Sequence, residues 1–90
     1  MDIPEEFRLQ YIERRQSDLQ SCLEAIQKNE FGTLERIGHQ MKGNATSFGF
    51  DDLAVIGENL ETAAKNQDLT RAQDITKNFQ TYLLSAHKLI

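Results

Sequence analysis

The chain has little with which to build several common kinds of function. In 90 residues it holds one cysteine, one proline and no tryptophan. A lone cysteine excludes an internal disulfide. Cys22 lies on an apolar helical stripe, where its expected role is that of a small buried hydrophobe, not a metal ligand. The charge balance is acidic, with Lys+Arg 10 against Asp+Glu 14 and a net charge of −4. Arg14-Arg15 is the only adjacent basic pair, so the basic face that nucleic-acid binding needs is missing. No run approaches the roughly 18 apolar residues of a membrane span. The opening Met1-Asp2-Ile3-Pro4-Glu5-Glu6 lacks the cationic and apolar regions of a secretory signal. The expected location is the cytoplasm, without a membrane partner.

What is present reads as one all-α domain over residues 1–90. A chain of this size buries only about 60% of its unfolded surface, which leaves little room for a deep substrate cleft. Pro4 sits where a helix would begin, and Glu5 and Glu6 suit the positive end of its dipole. Phe7, Tyr11, Ile12, Leu19, Cys22, Leu23 and Ile26 then follow helical spacing. Ser17 and Gln20 have capping-box spacing, yet one long helix is the favoured reading over two in series. Lys28-Asn29-Glu30 breaks the pattern, with Asn29 as the expected N-cap of a second helix. That helix carries Phe31, Leu34, Ile37, Gly38, Met41, Ala45 and Phe48 on its core side, and Gly49 fits the position just past its end. Asp51 or Asp52 is placed to cap a third helix with Leu53, Ile56, Leu60, Ala63 and Ala64 inward. After Asn66-Gln67-Asp68, a fourth stripe runs Leu69, Ala72, Ile75, Phe79, Leu83, Ala86, Ile90. Four amphipathic helices on short connections predict an antiparallel up-down-up-down four-helix bundle. Phe50 is expected to staple the corner between helices 2 and 3.

The second helix carries the chemistry. At about 100° per residue, His39 falls roughly 140° round from Leu34, clear of the core stripe. Gly43 stands one turn beyond it on the same face, and Lys42 flanks that turn. A glycine inside a helix costs about 0.8–1 kcal/mol relative to alanine. Close helix approach accounts for Gly38, but nothing in a bundle requires Gly43 on the wet face. Its bareness leaves the imidazole open to another protein's surface. An exposed imidazole is largely neutral and nucleophilic near pH 7, and a neighbouring ammonium offsets the charge of a phosphoryl group placed on it. No Gly-rich phosphate loop and no nucleophile–base–orienter set accompanies His39 in sequence. The donor must therefore arrive with its own activating machinery.

The run His39-Gln40-Met41-Lys42-Gly43, with Ala45 and Phe48-Gly49-Phe50 after it, resembles the signature of histidine-containing phosphotransfer (HPt) domains. Leu53, Leu60-Glu61 and Ala63-Ala64 are similar to that family's third helix, and Phe7 with Leu19, Leu23 and Ile26 to its first. Asn44 stands where Ser or Ala is common, and Gly38 where Ala is common; Asn44 points toward the bundle, so its amide needs a partner.

The resemblance implies a four-helix bundle that accepts a phosphoryl group from a receiver-domain aspartate and passes it to another receiver aspartate. His39 matches the phosphoacceptor, with phosphate on Nε2. Lys42 matches the lysine that supports the phosphate charge, and Gly43 the residue that gives steric access. The implied partners are response-regulator receiver domains and a hybrid sensor histidine kinase. Mg²⁺ is expected on the receiver, so this chain needs no cofactor and no metal, and it is a carrier, not an enzyme. Glu35, Gln40 and Thr46 around His39, and Leu9 and Ile12 on the first helix, are the candidate interface residues. His87 is expected to complement the dipole at the end of the fourth helix. Two alternatives remain open: the phosphoacceptor domain of a chemotaxis-type histidine kinase, and a helical adaptor that binds receivers without phosphate. The expected state is a monomer, and the absence of linker composition before Ile90 suits a free-standing protein.

Overall fold

The structure, a computed structural model, describes residues 3–89, with side chains as far as Ala86. Four α-helices follow one another: α1 (Glu5–Lys28), α2 (Phe31–Asn44), α3 (Asp51–Lys65) and α4 (Leu69–Leu89). The role expected of the His87 side chain and the place of Ile90 on the last stripe lie outside the described residues.

α1 is a single unbroken helix, so the Ser17–Gln20 spacing caps nothing. Pro4 holds the N-cap position, and its carbonyl accepts from the N–H groups of Phe7 and Arg8 at 3.0 and 3.2 Å. Asn29 ends this helix and does not begin the next. It adopts the left-handed conformation, φ 55°, while Glu30 N–H returns to the carbonyl of Ala25 at 2.8 Å. Asparagine is among the few residues other than glycine that visit this region readily. Glu30 takes the N-cap position of α2 without a side-chain bond.

α2 stops at Asn44, and a short 3-10 helix, Thr46–Phe48, tightens the chain before Gly49 at φ 85°. Phe50, buried at this corner, occupies the N-cap position of α3. Asp51 and Asp52 therefore lie in the first turn, where their charge favours the dipole, and neither is the cap. A true side-chain cap opens α4, where the Asp68 carboxylate accepts the Arg71 N–H at 3.1 Å.

The core is built from the stripes the spacing foretold, with Ile12, Leu34, Ile37, Met41, Leu60 and Phe79 sealed from solvent. Cys22 is fully buried, and burial pushes its thiol up to about 12, which leaves it unreactive. Two stripe residues depart from expectation. Phe7 and Leu23 remain substantially exposed. Phe7 belongs to the first turn of α1, and Leu23 sits one residue, about 100°, round from buried Cys22, at the rim of the packed stripe.

Each helix packs against its chain neighbours, α1 closes against α4, and the tightest pairing is α2 with α3. Two glycines set that pairing. A Cβ added to Gly38 would meet the Glu61 nitrogen and the Gly57 oxygen, both at 2.6 Å. One added to Gly57 would meet the Gly38 oxygen and the Lys42 nitrogen, both at 2.7 Å. Contacts that run forward along α2 run backward along α3, and the two helices meet backbone against backbone.

An aromatic cluster fixes α1 against the same corner. Tyr11 stacks on Phe48 with ring centroids 4.5 Å apart and on Phe50 at 5.7 Å. Arg15 covers Tyr11 and Arg8 covers Phe50 with their guanidinium groups. The Tyr11 hydroxyl donates to Oδ1 of Asn44, which supplies the partner that the Asn44 amide needed.

Candidate functional site

α2 presents His39 outward, its side chain 71% exposed, directly above a residue that the helix 2 motif does not contain. Glu61 of α3 places Oε2 at 2.7 Å from His39 Nδ1 and Oε1 at 3.3 Å from Lys42 Nζ. Its side chain is only 7% exposed, wedged where the glycine pair brings the two backbones together. Lys65, one turn further along α3, stands 3.8 Å from Oε2. One carboxylate thus bonds an imidazole and one ammonium group, with a second ammonium standing nearby.

The electrostatics follow from this convergence. The bond from His39 holds the Glu61 carboxyl below its ordinary value; burial opposes that, and the hydrogen bond and charge of Lys42, then the charge of Lys65, lower it further. Glu61 is therefore ionised at neutral pH and can only accept hydrogen bonds. Nδ1 must donate, and in a neutral ring that places the lone pair on Nε2.

Gly43, on the same face, has nothing within 4 Å of where a Cβ would stand, so the approach to the ring from that side is open. Beside His39, Gly32, Glu35, Arg36, Gln40, Glu61 and Lys65 line an open depression of about 450 Å³. Glu35 and Gln40, expected around His39, share this surface. Thr46 is exposed but belongs to the 3-10 helix past the end of α2, outside the depression. Ile12 is corrected: it is fully buried and belongs to the core, so no partner can touch it. Leu9 is half-buried. Phe48, just past the end of α2, stacks on Tyr11 of α1, the helix that carries Leu9 and Ile12.

A second correction concerns the orienting group. None is visible near His39 in sequence, yet Glu61 supplies one from 22 residues away. The signal that would have found it is a carboxylate between Leu60 and the Ala63-Ala64 pair, all buried. A charge set among core residues needs a partner.

A sequence model described as Hpt domain matches residues 6–89. The chain belongs to the Hpt domain family. Hpt domains are helical phosphotransfer carriers of two-component signalling, not kinases, and they work with receiver domains and kinases. No curated protein and no solved structure gives a significant match to this Hpt domain. Among its described residues, no helix is long and apolar enough to cross a membrane.

Proposed function

We propose that His39 is the phosphoacceptor of a relay carrier, loaded from the aspartyl phosphate of one receiver domain and discharged onto the aspartate of another. The observation that carries this reading is an imidazole 71% exposed whose Nδ1 is held at 2.7 Å by a carboxylate. In the loading step, the Nε2 lone pair attacks phosphorus in line, the Nε2–P bond forms, and the P–O bond to the receiver's aspartate breaks. The electron pair leaves on that carboxylate. The ring becomes cationic while keeping its Nδ1 proton, and Glu61 offsets the new charge, a role analogous to a buried aspartate behind a catalytic histidine. Discharge is the reverse. Lys42 supports the phosphoryl charge, and Gly43 gives the receiver room. Positioning and electrostatics do the work, as in phosphoryl transfer generally.

In this reading the helices form an up-down-up-down bundle, a topology that the short connections and the reversed order of the α2–α3 contacts favour. The chain acts as a monomer in the cytoplasm, and any metal at the phosphoaspartate belongs to the receiver. Incubation with a panel of phosphorylated receivers tests it. The wild-type domain takes up an acid-labile, base-stable label, and His39→Gln takes up none while its helical circular dichroism is unchanged. Equal labelling of His39→Gln would falsify the assignment.

A further inference from the structure

Glu61 holds more positive charge than one carboxylate can balance. His39 Nδ1 and Lys65 Nζ share Oε2, at 2.7 and 3.8 Å, while Lys42 takes Oε1 at 3.3 Å. The two ammonium groups thus flank the carboxylate and approach it through different oxygens. Of these two lysines only Lys65 borders the depression that opens beside the ring, where Arg36 is the other cation of the lining.

Little holds Lys65 where it is. A separation of 3.8 Å exceeds hydrogen-bond length, and the side chain is 58% exposed. Exposed pairs of this kind contribute little, so the ammonium turns readily to a stronger anion. A phosphoryl group is such an anion, with a charge of about −1.5 to −2 near neutral pH. Lys42 alone cannot neutralise it, and Lys65 stands beside the same carboxylate oxygen that holds the ring.

We propose that Lys65 is a second phosphate-binding cation: in the phosphorylated domain its ammonium pairs with the phosphoryl oxygens on the depression side of His39, opposite the support given by Lys42. The proposal rests on His39 being the phosphoacceptor. It assigns a function to a residue outside the helix 2 motif, contributed by the last turn of α3.

Potassium phosphoramidate labels histidine without a protein donor, so it separates the two ideas. The reagent's P–N bond breaks, the Nε2–P bond forms, and ammonia leaves with a proton. The labelled domain is titrated by ³¹P NMR, with His39→Gln as the control for label elsewhere. Lys65→Gln is expected to raise the midpoint of the phosphoryl titration by about 0.3–0.7 pH unit, the range open to an exposed ion pair. Lys42→Gln is expected to do the same, Lys65→Arg to restore the wild-type midpoint, and 1 M salt to erase the differences. A labelled His39 whose titration is the same in Lys65→Gln and wild type overturns the role of Lys65 alone. Failure of His39 to take label overturns both this role and the phosphoacceptor reading beneath it.

Discussion

The carboxylate of Glu61 reaches His39 Nδ1 at 2.7 Å from a different helix, and it is the more buried of the two by a wide margin. The fixed member of the pair is the carboxylate; the ring is the part open to solvent. Replacing it tests both its electrostatic and its structural effect. Glu61→Gln keeps the shape but not the charge, and is expected to slow loading of His39 from a phosphorylated receiver roughly tenfold. That is less than the hundredfold or more typical of an enclosed charge-stabilising group, because this ring is open to water. Rapid-quench measurement of label transfer checks it.

The same carboxylate gives a pH signature. Its folded value lies below the ordinary 4.5, so the unfolded chain binds the proton more readily. The stability it contributes is fully present above that ordinary value and is lost as pH falls through the lower folded one. Urea melts between about pH 3 and pH 7 should show stability falling on the acid side, with a shallower fall in Glu61→Gln.

Gly43 and Gly38 are expected to respond oppositely to alanine. Gly43 faces open space, so Gly43→Ala should stabilise the helix by about 0.8–1 kcal/mol and raise the melting temperature by about 4–8 °C. Gly43→Leu should fold equally well but slow transfer by shading the ring. A transfer rate in Gly43→Leu equal to wild type would count against the access argument.

At Gly38 the added methyl would strike backbone atoms of Glu61 and Gly57 at 2.6 Å, and neither can swing aside. Gly38→Ala should destabilise by about 1–3 kcal/mol, the usual range for overpacking. It should also slow transfer, since parting the helices draws Glu61 away from the imidazole. Chemical denaturation alongside Gly43→Ala provides the matched control.

Tyr11→Phe removes the hydroxyl that Asn44 accepts from and is expected to cost about 1 kcal/mol. A double-mutant cycle with Asn44→Ala isolates the pair; additive losses would show that the bond contributes nothing.

His39, Lys42 and Gly43 could be read from the chain because one helix carries all three, and helical spacing alone fixes which way each faces. Glu61, Lys65 and Gly57 could not, because their meaning depends on how α3 docks. Two cues were nevertheless present: a glycine four residues before a carboxylate on one helix, and a glycine immediately before the histidine on the other. Asn29 was misplaced because asparagine serves equally as an N-cap and in a left-handed turn, and only the return of Glu30 N–H to Ala25 decides between them. Ile12 was ambiguous for a similar reason: spacing marks an apolar side chain as inward-facing but does not say how far neighbouring elements will cover it.

In the proposed cycle the inner nitrogen of His39 never releases its proton, because Glu61 grips it before, during and after the exchange. Neither loading nor unloading then has to wait on water to deliver or remove a hydrogen ion at the ring. Such a carrier can be crossed in either direction without a proton-delivery step, and net traffic follows the relative free energies of the phosphoryl group on His39 and on each neighbouring aspartate.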